Sequence, residues 1–491
     1  MIIVRLERLL AAAAVLVGAA AWMFYLRAGL VLSHYDAKAH LVVARRMIDS
    51  LTPGWRQIGG VWLPLPHLLQ ALPVQVDVLY RTGASASLVS IACLGTVAYA
   101  SARLVLLATG SPLGAAIAAA LLALNPNLLY LHTTPLTEPL LLATTFLAVL
   151  WLTEWVPQNQ DRVPLRLRWA LVAAVLTRYE AWLVVAAALP AALYASARIG
   201  ASGPELRRRA WRLVVWPAAA IGSFFVLSRI TTGAWFTAAD FFEPDPAYRG
   251  QVLKSGLAVW WGTHELSTRT TEIVAISAAV FVLLRAALTR ASAPSGLAVA
   301  LFASAALPAA AFYAGHPFRI RYMISSAAAC ALFSGTAVGL LRRQAGVALA
   351  ALLAGATLLQ SPPWQGDAPL LVEARWDQPA ADLRRGVTAC LKDGYQDDKV
   401  LASMGSLAHY MQELSNERFD IADFVHEGNG AIWELAMQTG PVPHAGWMLV
   451  DEESEGGDVL ARRIRRDADF VRGMTRLCEG GGVALYRRSG P

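Results

Sequence analysis

Asp36 is the residue best placed for chemistry in this chain, because it follows the first apolar segment, in the run HYDAKAH at 34–40. A carboxylate where a membrane helix emerges can accept the proton of an attacking hydroxyl group. His40 lies one turn later on the same helix face and could orient that carboxylate or hold a cation, whereas Lys38 suits a phosphate or lipid headgroup. Two simpler roles remain open: Asp36 capping a helix that begins at Ala37, and His40 packing against loop residues.

Other charged residues stand at the predicted ends of apolar segments. Glu138, in Thr-Glu-Pro, could orient an acceptor or bind a metal, or it could start a helix, where an acid gains from the dipole and proline suits the first turn. Arg178 and Glu180 interrupt an apolar interval, where each charge costs about 2.5–3.5 kcal/mol. Arg178 could contact a phosphate or a site carboxylate, or pair structurally with Glu180 at a helix break.

The run HPFRIRY at 316–322 places two arginines at the start of another apolar segment. A guanidinium group binds phosphate through two parallel hydrogen bonds, so Arg321 beside Tyr322 is the preferred phosphate ligand. Anchoring at the membrane interface is the alternative. His264 and Glu265 follow two tryptophans in an earlier loop, and such aromatic rings suit sugar stacking and membrane anchoring alike.

Composition determines the class of protein. With 491 residues, 56% hydrophobic, 16% charged and a mean hydropathy of +0.45, the chain is too apolar for a soluble protein of its size. We therefore predict an α-helical polytopic membrane protein with about eleven transmembrane helices. The apolar windows lie at roughly 9–32, 85–108, 112–131, 136–156, 210–231, 273–289, 296–314, 323–341 and 345–361, with 169–197 divided into two helices broken at 177–180.

Arginine placement predicts the orientation through the positive-inside rule. Arginine clusters precede and follow the 169–197 interval, so the chain must leave the cytoplasm and return within it. This topology places the N-terminus, as an uncleaved first helix, in the cytoplasm and the C-terminus outside. Most of the net charge of +7 lies in the inner loops, where anionic lipid accounts for it without nucleic acid.

The composition becomes mixed and polar from about residue 365. We predict a transmembrane domain at 1–364 and a small soluble α/β domain at 365–491, exported to the periplasm or cell exterior. Its expected strands lie at 400–402, 446–450 and 483–486, and its expected helices near 404–415 and 458–472. Cys390 and Cys478 could form a disulfide in an oxidising compartment.

The order of these features resembles the GT-C superfamily of membrane glycosyltransferases. One apolar span, an acid at its outer end, an amphipathic segment and the run WLPLPH at 62–67 are similar to the protein mannosyltransferase and aminoarabinose transferase groups. The run TRYEAW at 177–182 and the Arg-Tyr pair at 321–322 add to the resemblance. A second acid often follows the first in the protein-mannosylating branch, but Ala37 stands there in this chain, which leaves the acceptor open.

The resemblance implies an inverting glycosyltransferase that takes a sugar from a polyprenyl-phosphate-linked donor at the outer face of a bacterial inner membrane. Its acceptor, a protein, lipid or glycan, is unknown. Asp36 would be the general base and Glu138 a further catalytic carboxylate. Residues predicted to bind the donor phosphate are Arg178, Arg319, Arg321 and Tyr322. Residues predicted to bind the substrate are Lys38, His40, Trp62, His67, Glu180, His264, Glu265 and His316.

Two other classes remain open: a transporter or flippase of lipid-linked sugars, and a non-catalytic membrane subunit that keeps the scaffold. Broken helices also occur in transporters, but the sequence has no inverted repeat and its polar residues are predicted at one face of the membrane. ATP, NAD and structural zinc have no motif. A divalent metal held by Asp36, His40 and Glu138 remains open, although their spacing does not support it.

Overall fold

A computed structural model describes residues 3–158, 160, 162–235, 244–453 and 457–489. The α-helices are α1 (Ile3–Arg27), α2 (Tyr35–Arg45), α3 (Leu65–Gln70), α4 (Asp77–Thr82), α5 (Ala84–Thr109), α6 (Pro112–Leu124), α7 (Pro126–Leu131), α8 (Glu138–Trp155), α9 (Leu165–Val175), α10 (Glu180–Arg198) and α11 (Gly203–Thr232). They continue with α12 (Val252–Ser267), α13 (Arg269–Leu288), α14 (Ala306–Tyr313), α15 (Ile324–Leu340), α16 (Arg343–Gln360), α17 (Pro369–Ala374), α18 (Gln378–Gly394), α19 (Met404–Leu414), α20 (Ala431–Thr439) and α21 (Val459–Arg466).

The remaining regular structure comprises 3₁₀ helices and strands. The 3₁₀ helices are Trp55–Ile58, Pro73–Gln75, Val156–Gln158, Arg290–Ala305, Ile320–Met323, Ser415–Glu417, Ile421–Asp423, Glu427–Asn429 and Ala468–Val471. The strands are β1 (Val400–Ala402), β2 (Phe424–Val425), β3 (Trp447–Asp451), β4 (Met474–Gly480) and β5 (Val483–Arg488). The predicted tail strands are β1, β3 and β5, while β2 and β4 escaped prediction.

The chain forms two compact units. The first contains the described residues within Met1–Ala28, Ser87–Val226 and Pro244–Glu373, and the second those within Gly29–Ala86, Leu227–Glu243 and Ala374–Pro491. This division differs from the predicted domains at 1–364 and 365–491. The segment Gly29–Ala86, which follows the first helix, groups with the C-terminal region, and residues 365–373 stay with the helices.

Among the described residues, eight helical segments are long and apolar enough to cross a membrane. They are Leu6–Arg27, Ala84–Thr109, Glu138–Gln158, Glu180–Arg198, Gly203–Thr232, Arg269–Leu288, Arg290–Tyr313 and Ile320–Leu340. The chain therefore has the character of a helical membrane protein, but the predicted count of about eleven spans is not confirmed.

The three other predicted spans form shorter or less apolar helices. The window 112–131 is divided, because Asn125 caps a new helix at Pro126 and accepts hydrogen bonds from the N–H groups of Asn127 and Leu128. The interval 169–197 is broken as predicted, and its first helix, α9, has 11 residues. Helix α16 has 18 residues but carries polar side chains at both ends.

Glycines bring α6 and α15 of the first unit unusually close. A Cβ atom added to Gly335 would lie 2.5 Å from the Gly114 carbonyl oxygen and 2.5 Å from the Ala118 Cβ. Gly339, one turn beyond Gly335, is similarly tight against Thr109. Small residues four apart let membrane helices approach until their backbones touch. Helices α6 and α15 therefore pack backbone against backbone, without large side chains between them.

The second unit is built on a five-stranded sheet of order β2-β1-β3-β5-β4. Strands β2, β1 and β3 are parallel, whereas β5 pairs antiparallel with both β3 and β4. All five residues of β3 are buried, as expected when helices cover both faces of a sheet. The region is an α/β fold, in agreement with the prediction.

Alternate residues of the strands enter two separate cores. Val400, Trp447 and Leu485 pack on one face, while their neighbours, such as Leu401 and Met448, pack on the other. The first of these cores also receives apolar residues of α2 and of the segment that follows it: Ala39, Leu41, Val42, Ala44, Val74 and Tyr80. This shared core explains why Gly29–Ala86 belongs with the C-terminal region.

Candidate functional site

Charged residues of the first unit stand where helices begin or end. Glu138 is the first residue of α8 and Pro139 lies in its first turn, so the predicted helix start is confirmed. Glu180 opens α10 directly after the break that contains Arg178. Arg321 lies in the 3₁₀ turn that precedes α15, and Glu373 lies in α17. We call the five charged side chains at these helix ends the first-unit cluster: Glu138, Arg178, Glu180, Arg321 and Glu373.

Arg178 is tightly held within this cluster. Its Nη2 lies 2.7 Å from Glu180 Oε1, and its Nε donates to both oxygens of the same carboxylate at 3.1 and 3.2 Å. Its Nη1 donates to Thr137 Oγ1 at 3.0 Å and lies 3.2 Å from Glu138 Oε1. Burial alone would lower the pKa of Arg178, but Glu138 and Glu180 outweigh that effect and raise it. The structure therefore contains the ion pair between Arg178 and Glu180 that was the alternative to phosphate binding.

Arg321 contacts the same cluster at longer range. Its Nη1 lies 3.7 Å from Glu138 Oε1, and its Nε lies 3.6 Å from Glu373 Oε1. Its guanidinium carbon also lies 5.4 Å from the centre of the Tyr322 ring. Glu373 is buried, and its other oxygen accepts a hydrogen bond of 2.6 Å from the Ile320 N–H.

The cluster brings buried charges of both signs together. Two guanidinium groups face three carboxylates, those of Glu138, Glu180 and Glu373, and all five residues have little exposed side-chain surface. Buried charges are costly unless they are paired and hydrogen-bonded, so a buried cluster of five charged side chains at helix ends is a candidate functional site.

The other predicted residues of the first unit lie around this cluster or outside it. His316 Nε2 is 3.4 Å from the Tyr322 hydroxyl, and Arg319 Nη1 donates to the Phe318 carbonyl at 3.1 Å. His264 Nδ1 lies 3.2 Å from Glu272 Oε2. Glu265 is exposed.

Asp36 belongs to the second unit. It lies half-buried in the first turn of α2, which begins at Tyr35. The helix cap is His34, whose Nδ1 accepts a 3.1 Å hydrogen bond from the Asp36 N–H. The alternative that Asp36 caps a helix beginning at Ala37 is therefore wrong, because the helix starts two residues earlier and another side chain caps it.

His40, Trp62 and His67 form a group of packed rings. His40 Nδ1 lies 3.1 Å from His67 Nε2, and the ring centres of His40 and Trp62 are 4.1 Å apart. Burial, together with the nearby His40 and Arg46, holds the pKa of His67 well below its ordinary value. This arrangement matches the packing alternative for His40, and the run WLPLPH braces the helix that carries Asp36.

Lys38 is engaged by the C-terminal region. Its Nζ lies 2.6 Å from Glu413 Oε1 and 3.9 Å from Asp377 Oδ2. Arg384, which is 2% exposed, donates two hydrogen bonds to Asp377, at 2.9 and 2.7 Å, and also contacts Glu413 at 3.0 Å. With His409, whose Nε2 is 3.8 Å from Asp377 Oδ1, these residues form the second-unit cluster.

Sequence reasoning missed several members of both clusters. Glu373 is a single acid in the apolar run LLVEA, and this isolation was an available signal. Asp377 and Arg384, seven residues apart, gave no signal that separates them from surface residues of an amphipathic helix.

Among the residues that the structure describes, no group of three or more His, Cys, Asp or Glu side chains could hold a metal ion. Neither the known protein families nor the curated proteins contain a match to this chain.

Proposed function

We propose that this protein is a membrane glycosyltransferase that uses a polyprenyl-phosphate-linked sugar. The observation that carries the proposal is the first-unit cluster, which places Arg321 beside Tyr322 between two buried carboxylates at the ends of apolar helices. A lipid phosphate that leaves during sugar transfer gains negative charge, and a preorganised guanidinium group stabilises it.

The proposed division of labour follows from the contacts of the two arginines. Arg178 has hydrogen bonds of 2.7 to 3.2 Å to Glu180, so its role is to hold the helix break together. Arg321 Nη1 and Nε lie 3.7 and 3.6 Å from Glu138 and Glu373, beyond ideal hydrogen-bond length, so a phosphate oxygen can compete for these two nitrogens. Arg321 is therefore the proposed phosphate ligand.

Asp36 is the proposed general base. Its carboxylate accepts the proton of the acceptor hydroxyl as that oxygen attacks the anomeric carbon and the bond from carbon to phosphate oxygen breaks. The bonding electrons leave with the lipid phosphate. Support comes from the position of Asp36 in the first turn of α2, where the cap is His34 and not Asp36.

Orientation and location belong to the same proposal. We place the protein in a bacterial inner membrane, with the N-terminus cytoplasmic and the α/β region outside. The sugar, the lipid carrier, the acceptor and any dependence on a divalent metal remain open.

The first prediction tests the base. Asp36→Asn keeps the shape of the side chain but removes the proton acceptor, so turnover should fall by about 10²–10⁴ while donor binding persists. The assay supplies purified protein with polyprenyl-phosphate sugars and candidate acceptors. Asp382→Asn, at a 57% exposed side chain, is the matched control and should retain activity.

Full activity in Asp36→Asn would refute the proposed base. A transporter or flippase would instead show no sugar transfer by the wild type, with lipid movement that depends equally on Asp36 and Arg321. A non-catalytic subunit would show neither activity alone.

A further inference from the structure

A cavity of about 500 Å³ opens on the first unit, in a region that the proposed reaction does not use. It is lined by Arg162, Arg168, Trp211, Arg212, Val215 and Trp216. Three guanidinium groups and two indole rings around one space form a cationic site with an apolar rim.

Hydrogen bonds and cation–π contacts fix the residues that line this cavity. The Arg168 guanidinium carbon lies 5.4 Å from the centre of the Trp216 ring, and its Nε donates to the Val163 carbonyl at 3.0 Å. Trp155 donates its indole N–H to the Arg162 carbonyl at 3.1 Å. Trp155 also stacks beneath Arg209, which is 1% exposed. The cavity is therefore a built site rather than a gap between mobile side chains.

The charge in the cavity is positive. No acidic residue lines it within the described ranges, and Arg162 and Arg168 form no ion pair with any carboxylate that the structure describes. The nearby Glu154 is occupied by Arg103 at 2.9 Å and by Arg166 at 3.2 Å. An anion with several oxygen atoms would complete the cavity.

The position of α11 places the cavity at the level of lipid headgroups. Helix α11 has 30 residues and so spans roughly 45 Å, longer than the roughly 30 Å of bilayer hydrocarbon. Its apolar part, from Leu213 to Thr232, alone covers roughly 30 Å. Trp211 and Arg212 therefore precede the hydrocarbon region, and Trp211 is 70% exposed, as expected of a ring at a membrane interface.

We propose that this cavity binds an anionic phospholipid of the bilayer. The phosphate of the headgroup would accept hydrogen bonds from Arg162, Arg168 and Arg212, and an acyl chain would lie along Val215 and Trp216. Guanidinium groups favour phosphate because their planar fork matches two of its oxygens. Simple snorkelling of arginines toward water would not direct three of them into one space, and a soluble phosphate would not need the apolar rim.

Native mass spectrometry of the full chain in detergent tests the proposal. The ligands are phosphatidylglycerol, zwitterionic phosphatidylcholine and water-soluble glycerol 3-phosphate. We expect phosphatidylglycerol to bind at least about tenfold more tightly than either of the others. Arg168→Gln with Arg212→Gln should remove that preference. Arg207→Gln with Arg290→Gln removes the same charge at exposed sites outside the cavity and should leave it unchanged.

Trp211→Ala keeps every charge, so it supplies an independent readout if the double variant fails to fold. It should weaken phosphatidylglycerol binding without changing that of glycerol 3-phosphate. The proposal is overturned if both double variants lose the lipid equally, or if phosphatidylcholine binds as tightly as phosphatidylglycerol. Equal binding of glycerol 3-phosphate and lipid would also overturn it, because the site would then recognise soluble phosphate.

Discussion

The two buried charge clusters of this protein differ in the contacts that Arg384 and Arg321 make with carboxylates. In the second unit, Lys38 and Arg384 face Asp377 and Glu413, with closest pairs of 2.6 to 3.0 Å. In the first unit, Arg321 Nη1 and Nε lie 3.7 and 3.6 Å from the carboxylates of Glu138 and Glu373.

This contrast separates stability from reactivity. A buried network whose charges match and whose hydrogen bonds are short resists rearrangement, and breaking it leaves an uncompensated charge. A network with longer contacts can exchange a partner at smaller cost. We therefore expect substitutions in the second-unit cluster to change stability first, and substitutions at Arg321 to change activity first.

Removing the central cation of the second unit should have the largest effect on stability. Arg384→Met leaves Asp377 and Glu413 without their main partner, which should destabilise the sheet region by about 3–5 kcal/mol. Hydrogen exchange of the peptide that contains β1 measures the loss. Arg385→Met, at the adjacent but 82% exposed side chain, should cost about 0–1 kcal/mol. Equal losses in the two variants would contradict the contrast.

Acidification should have the second-largest effect on the stability of the second unit. Burial lowers the pKa of His409 to about 4. The facing acids Asp377 and Glu413 oppose this shift, whereas the cations Arg384 and Lys38 add to it. Burial lowers the pKa of His426 to about 3. The unfolded chain binds these protons near pH 6.5, so the stabilisation is complete above that pH and is lost as the pH falls.

At pH 5 each of these histidines should lower the free energy of unfolding by about 2 kcal/mol relative to its value at neutral pH. Asp458 opposes them by about 1 kcal/mol, since burial raises its pKa to about 6 and favours the folded state on acidification. Denaturation of the full chain between pH 7.5 and 5 measures the sum. His409→Gln should flatten the profile, and an unchanged profile in that variant would exclude His409 as a source.

Exchanging arginine for lysine should distinguish the roles within the first-unit cluster. Arg321→Lys keeps the charge but loses the planar fork, so sugar transfer should fall about 10²-fold with little change in melting temperature. Arg178→Lys loses its paired hydrogen bonds to Glu180 and should lower the melting temperature. The opposite pattern would assign the phosphate to Arg178.

Neutralising one acid should give the smallest effect and the sharpest contrast. Glu373→Gln can still accept the hydrogen bond from Ile320, and the contact of Glu373 to Arg321 Nε is long, at 3.6 Å, so the substitution should cost less than about 1 kcal/mol. Glu413→Gln unbalances the matched cluster and should cost about 3 kcal/mol. The melting temperatures of both variants in the same detergent test this expectation. A larger decrease for Glu373→Gln than for Glu413→Gln would contradict it.

Local signals accounted for the parts of the fold that could be predicted. The break at 177–180 follows from charged residues inside an apolar run, and Glu138 beside Pro139 indicated a helix start. Buried strands β1 and β3 were visible as short apolar runs between polar segments. In each case the decisive residues are neighbours in the chain.

Long-range pairing could not be predicted in the same way. Lys38 and Glu413 are 375 residues apart, and nothing in either local sequence identifies the other as its partner. The roles of His40 and His67 likewise depended on a packing contact between two segments. Glu373 was assigned to the tail because composition changes near it, although its hydrogen bond places it with the helices.

The close glycine contact between α6 and α15 bears on the order in which the protein is made. Helix α6 has 13 residues, roughly 20 Å, which is too short to cross the bilayer hydrocarbon by itself. Its partner α15 leaves the ribosome about 200 residues later, after many seconds of synthesis at 5–20 residues per second. During that interval Gly114 and Ala118 contact lipid or other parts of the chain. Helix α6 therefore stays without its final packing partner until late in translation.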